Sequence, residues 1–195
     1  MLSQNNPKPV ISSAGDGILL RKLIQKAKKG DREAFGEVYS TLYTPLYRYV
    51  FSKCRDKELV DDICQQSFLK FYEALSSYEP EKSPLAYLFT IAKRLLINHG
   101  EKKTFEAFDE ALFVENENPS FVEELDIKLL AEVINDFLPS LTNDEQEVIR
   151  LYYYAELSYK EISDIVDKEE PYVRKIKERA LKKLRILASD LNDKQ

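Results

Sequence analysis

The chain has little of the chemistry on which most enzymes depend. Its one histidine, His99, ends a predicted helix, where an imidazole more often meets terminal carbonyls than moves protons. No H-E-x-x-H, no Gly-rich phosphate loop and no Ser-His-Asp arrangement is present, which argues against catalysis. Only two cysteines occur, Cys54 and Cys64, with nine residues between them; they fit no zinc or redox motif and read as helix-packing thiols in a reducing compartment. Five glycines and eight prolines in 195 residues exclude a collagen-like or low-complexity chain. No apolar run approaches the roughly 18 residues of a membrane span, and residues 1–17 lack the basic-then-apolar pattern of a secretory leader. The expectation is a soluble, cytoplasmic, non-enzymatic globular protein without metal or cofactor.

Charge, by contrast, is abundant and unevenly placed. The total is −5, yet residues 18–30 carry +5, 89–103 carry +3 and 171–195 carry +5, while 104–147 carry −12. A protein that binds polyanions unaided is usually basic throughout. Basic islands around an acidic stretch instead imply separate binding surfaces on one chain.

All the apolar periodicity is helical. Leu20, Leu23, Ile24 and Ala27 define a first helix, with Asp16 as N-cap and Gly30 as stop. Asp31 caps a second helix through Val38, Leu42, Leu46 and Tyr49, which Pro45 should kink or divide. A third helix spans about Lys57–Leu75, and a fourth about Leu85–His99, after a Pro- and Ser-rich loop over Ser76–Pro84. Residues 1–17 read as a tail, 18–103 as a helical bundle and 104–124 as an acidic linker. A second helical unit covers 125–191, followed by a short tail over 192–195. Within that unit Thr142-Asn-Asp-Glu145 and Ser158-Tyr-Lys-Glu161 have the capping-box form. The second precedes a short helix over Tyr159–Val166, a turn over Asp167–Glu170, and a long basic helix begun by Pro171. A short helix, a tight turn and a longer basic helix make a helix-turn-helix. The fold class is all-α.

The last helix places Arg174, Lys175, Lys177, Arg179, Lys182, Lys183 and Arg185 opposite its apolar residues. Side chains near the start of such a helix can reach base edges in a major groove, and later cations can lie along phosphates. In the first unit Tyr78 and Ser83 lie in the loop, and Tyr87, Thr90, Lys93, Arg94 and Asn98 on the helix after it. Aromatics beside cations suit an unpaired strand, whose bases stack on rings while its phosphates meet Lys and Arg. Tyr87 could equally be a core residue; Phe89 is read as core. Asp61 and Asp62, with Gln65 and Gln66, form a polar face on the third helix. Adjacent carboxylates point about 100° apart, which makes a poor metal site and leaves a docking face or a solvated surface.

These residues resemble the bacterial RNA polymerase sigma factors of the extracytoplasmic-function (ECF) type. The resemblance rests on G-D-R-E-A-F-G-E-V-Y (Gly30–Tyr39), V-D-D-I-C-Q-Q-S-F-L-K-F-Y (Val60–Tyr72) and S-P-L-A-Y-L-F-T-I-A-K-R-L-L-I-N-H (Ser83–His99). It extends to L-S-Y-K-E-I-S-D-I-V (Leu157–Val166) and Y-V-R-K-I-K-E-R-A-L-K-K-L (Tyr172–Leu184). The family often has Trp where Tyr72 and Tyr87 stand, an acid in place of Gln66, and glycine at the positions of Asp167 and Pro171. Ile176 and Lys177 reverse its common basic-then-apolar order.

The resemblance implies a dissociable subunit of core RNA polymerase that directs promoter recognition, melting and initiation. It implies docking through Asp61, Asp62, Gln65, Gln66 and Leu69, and capture of the −10 strand through Tyr78, Ser83, Tyr87, Thr90, Lys93, Arg94 and Asn98. It implies reading of the −35 duplex through Tyr172, Arg174, Lys175, Lys177, Glu178, Arg179 and Lys182. Partners would be core polymerase, promoter DNA and, as for many relatives, an anti-sigma factor. The competing readings are a stand-alone helix-turn-helix regulator and a helical adaptor that binds only proteins.

Overall fold

The computed structural model describes residues 14–54, 56–79, 83–99, 134 and 136–192. The linker expected over 104–124, and Leu125, Leu129, Leu130 and Val133 after it, lie outside the described residues.

Local chemistry sets the helix starts. Helix α1 (Ala14–Lys28) begins two residues before the expected cap, so that Asp16 lies inside it. Gly30, at φ +93°, supplies the left-handed residue after α1 that a side chain would resist. The Asp31 carboxylate then accepts from the Ala34 N–H at 3.0 Å and starts α2 (Arg32–Cys54). Asp56 caps α3 (Lys57–Ala74) by accepting from Glu58 and Leu59 N–H, and Ser83 caps α4 (Pro84–Asn98) by accepting from Ala86 N–H at 3.3 Å.

The expected break at Pro45 does not occur, and α2 runs through it as one element. Proline removes one helical hydrogen bond, but α2 is flanked by α1 and α3 and buries Val38, Leu42, Leu46, Tyr49 and Val50. That packing outweighs the local loss.

In the second unit both capping boxes form as the sequence predicts. Thr142 N–H donates to Glu145 Oε2 at 2.9 Å and begins α5 (Asn143–Ile149); Ser158 N–H donates to Glu161 Oε2 at 2.7 Å and begins α6 (Tyr159–Val166). Between them the chain widens into a π-helical turn, Arg150–Tyr154, where an α-helix through Tyr152 is expected. The Ala155 N–H reaches back to Arg150 O at 3.1 Å, and the wider turn buries Leu151, Tyr153 and Tyr154 together. Asp167 ends α6 in the left-handed conformation at φ +54°, and α7 (Glu170–Asn192) follows.

The two units pack against each other. Helix α4 lies on α6, and α2 lies on the π-helical turn. Val148, Leu151, Ala155, Leu157, Ile162, Val173 and Ile176 share one apolar cluster with Tyr49, Leu88, Phe89 and Ile91 of the first unit. A smaller core, Ile134, Leu138, Leu141, Ile149, Tyr153, Ala180 and Leu184, belongs to the second unit alone.

Candidate nucleic-acid and polymerase interfaces

Helix α3 turns Val60, Ile63, Cys64, Ser67, Phe68 and Phe71 inward, which leaves Asp61, Asp62, Gln65 and Leu69 exposed and Gln66 half-buried. The Tyr43 hydroxyl donates to Asp61 Oδ1 at 3.3 Å, and Gln66 Nε2 donates to Asp62 Oδ2 at 2.8 Å. Burial, then the Asp61 carboxylate, pushes the Tyr43 phenol up to about 12, so it remains a donor at neutral pH. The five expected docking residues therefore share one helix with a polar and an apolar end. Beside Leu69 lies a shallow apolar cleft of about 360 Å³, lined by Arg32, Phe35, Tyr39, Phe68, Leu69 and Tyr72. Leu69 is 58% exposed and Tyr72 46%, so an apolar edge adjoins the polar residues of the helix. Phe35 and Tyr39 of α2 reach this cleft through the way α2 and α3 cross. Cys54 and Cys64 are buried, and burial, then Asp61 and Cys54, pushes the Cys64 thiol up to about 12.

On α4 the spacing of Ser83, Tyr87, Thr90, Arg94 and Asn98 puts them along one face. Thr90, Lys93, Arg94 and Asn98 are exposed, and Ser83 and Tyr87 are half-buried. Phe89 is in the core against Tyr49, with ring centroids 4.9 Å apart. Tyr78 departs from expectation. It is 5% exposed, edge-on to Phe71 at 5.7 Å and to Tyr87 at 5.6 Å, and burial pushes its phenol up to about 12. A ring enclosed in this way has no face for a base; its place in the structure is as the support behind Tyr87.

On α7 the apolar stripe is Val173, Ile176, Ala180 and Leu184, all buried. Tyr172, Lys175, Arg179 and Lys182 follow one another along the exposed side, with Arg174 and Glu178 beside them. Arg174 lies 4.0 Å over the Tyr159 ring and donates to Glu170 Oε1 from Nη2 at 2.5 Å, which fixes the guanidinium at the start of the helix. Lys177 is the second correction. It is 4% exposed, its Nζ lies 4.0 Å over the Tyr152 ring, and it donates to the Tyr159 hydroxyl at 2.9 Å. Four residues after Val173 and three before Ala180, it occupies the inward stripe, and no surface remains to meet DNA. Burial lowers its ammonium to about 8.

A cleft of about 790 Å³ runs between the units. Arg21, Tyr87, Thr90 and Arg94 line one wall; Lys160, Asp164, Asp167, Lys168 and Glu169 line the other. Arg21 of α1 and Lys160 and Asp164 of α6 were not foreseen, since only tertiary packing brings them beside α4.

Known family models match the two units in this order along the chain. The family model for Sigma-70 region 2 matches residues 38–105, and that for Sigma-70, region 4 matches residues 137–185. The chain is 29% identical over 155 residues to the ECF RNA polymerase sigma factor SigM of Bacillus subtilis, covering 77% of this chain and 93% of that one. It is 24% identical to the ECF RNA polymerase sigma factor BldN of Streptomyces coelicolor, covering 90% of this chain and 68% of that one. Its fold is similar to that of CnrH, solved in complex with the cytosolic domain of CnrY, with a TM-score of 0.64 at 21% identity over 88% of this chain and 98% of that one. Among the described residues no helix is long and apolar enough to cross a membrane. With a region 2 bundle followed by a region 4 helix-turn-helix, the chain belongs to the RNA polymerase sigma factors of the ECF type, proteins that bind core polymerase and direct it to promoters.

Proposed function

We propose that three exposed faces divide the work of initiation in the cytoplasm, and that the polymerase supplies all the catalysis. Asp61, Asp62, Gln65, Gln66 and Leu69 on α3 dock on core polymerase. Ser83, Tyr87, Thr90, Lys93, Arg94 and Asn98 on α4 hold the unpaired −10 strand. Tyr172, Arg174, Lys175, Glu178, Arg179 and Lys182 on α7 read the −35 duplex.

The observation that carries this division is the difference in character between the two nucleic-acid faces. Helix α4 offers a supported aromatic ring, Tyr87, within the same helix as Lys93 and Arg94, which is what a single strand needs. Helix α7 offers an exposed row of cations on a helix set by a capped turn, which is what a major groove admits. Neither face is large. Held on one platform, each raises the effective concentration of the other without new contacts.

The test uses core polymerase and two promoter templates, one fully duplex and one already unpaired across the −10 element. Tyr87→Ala should lose transcripts on the duplex template and regain them on the unpaired one. Lys175→Ala with Arg179→Ala should lose them on both. Wild-type yields from both variants would refute the division.

A further inference from the structure

Arg174 is held on two sides, and the two holds come from different helices. Its guanidinium carbon lies 4.0 Å from the centre of the Tyr159 ring, on α6. Its Nε, at 3.2 Å, and its Nη2, at 2.5 Å, both donate to Oε1 of Glu170, on α7. The ring contact sets the plane of the fork, and the carboxylate sets its rotation within that plane. One edge of the guanidinium is thereby used, and the outer N–H groups of Nη1 and Nη2 point away from Glu170. The side chain is still 51% exposed, so it is oriented without being covered. Tyr159 is itself held. It follows the capping residue Ser158, its ring lies 5.1 Å from that of Tyr152, and its hydroxyl accepts from Lys177 at 2.9 Å.

We propose that Tyr159 and Glu170 are positioning residues for base reading: they hold the Arg174 fork at the plane and rotation in which its free end meets paired acceptors on a base edge. This rests on the −35 role given to α7 above. A bidentate contact needs the guanidinium to lie in the plane of the base. An unrestrained arginine would have to give up its rotamer freedom to reach that plane, and one already held loses less on binding. Arg174 also lies near the start of α7, where side chains of a recognition helix reach base edges. Lys175 and Lys182 end in point charges that need no fixed plane, which suits phosphates. Tyr159 belongs to the other helix of the pair. Through it α6 shapes what α7 reads, with no contact of its own to a base.

The test uses holoenzyme assembled from core polymerase and the full-length chain, with a duplex promoter that it retains. Each base pair of the −35 element is replaced in turn, and discrimination is the ratio of affinities for the original and the replaced pair. The ratio cancels any general change in affinity that follows from altering a charge near phosphates. Arg174→Ala should lose about tenfold in discrimination at one base pair. Tyr159→Leu and Glu170→Ala should each lose roughly threefold, half of that free energy, at the same pair and none elsewhere. Either change added to Arg174→Ala should cost nothing further, because the group being positioned is gone. Tyr159→Phe keeps the ring and should keep wild-type discrimination. Circular dichroism checks that the variants fold; should Tyr159→Leu fail to, Glu170→Ala at the helix start decides alone. Wild-type discrimination in the folded Tyr159 and Glu170 variants, or an equal loss at every base pair, would overturn the positioning while leaving Arg174 a reader. No loss in Arg174→Ala would overturn the −35 assignment of Arg174 itself.

Discussion

Lys177 offers the sharpest test of how the second unit is built. Its ammonium is enclosed by Tyr152, Tyr153 and Tyr159, and burial lowers it from 10.5 to about 8. At the usual conversion, that fall means folding penalises the charged form by about 3 kcal/mol. The ring of Tyr152 at 4.0 Å returns about 1–2 kcal/mol as a cation–π contact, leaving a net cost of about 1–2 kcal/mol. Lys177→Met keeps the length of the side chain and removes the charge. It should stabilise the protein at pH 7 by about 1–2 kcal/mol, roughly 3–6 °C in Tm for a chain of this size. The sign with pH follows from linkage. The unfolded chain holds the Lys177 proton up to about pH 10.5, while the folded chain releases it near pH 8. Wild-type stability therefore gains from this group as pH rises between those values, and the advantage of Lys177→Met shrinks over the same interval. Differential scanning calorimetry of both proteins from pH 7 to 10 measures the difference, which cancels the other titrating groups. A destabilised variant, or a gap that stays constant with pH, would refute the burial argument. Duplex promoter affinity in the holoenzyme should not change, which separates Lys177 from its exposed neighbours.

Lys175→Ala should weaken promoter binding by holoenzyme and lower the slope of log affinity against log salt by about one, measured by filter retention across a salt series. Ser158→Ala removes the hydroxyl that caps α6 and should cost about 1 kcal/mol in a denaturant titration. Acid should destabilise the chain at Glu147. Burial raises its carboxyl, but the charges of Lys53 and Lys93 and the hydrogen bonds from Lys53 and Tyr49 outweigh that and hold it below its ordinary 4.5. A carboxyl lowered on folding stabilises above its unfolded value, and that contribution is lost as pH falls through the folded one. Denaturant titrations of wild type should show stability falling as pH drops below about 4.5, and Glu147→Gln should lack that part of the fall.

What could be read from the residues alone was local. The boxes at Thr142 and Ser158, and the cap at Asp31, depend on groups within three residues, and each forms as expected. The inward stripe of α7 followed from spacing as well. Lys177 was misassigned because its charge was given more weight than its position between Val173 and Ala180. Tyr78 was misassigned because its surroundings, Phe71 and Tyr87, come from two different helices. Pro45 predicted a break from backbone chemistry, and the flanking helices overruled it. Least legible was the packing of one unit on the other. Glu147 looked like the end of an acidic stretch, and its partner Tyr49 lies 98 residues away. No periodicity marks a contact at that separation, and Arg48, Lys53 and Glu156, which pair across the units, carried no signal at all. The resemblance to a known family pointed to separate faces for separate partners; it did not foresee that the two units pack on each other.

Dependence of promoter binding on polymerase is the property that separates a sigma factor from a free-standing regulator. The most direct measurement is retention of a labelled duplex promoter at physiological salt by the chain alone, by core polymerase alone and by the two together. Retention by the pair, with little by either component, is the expected result. Tight, sequence-specific retention by the chain without polymerase would contradict it.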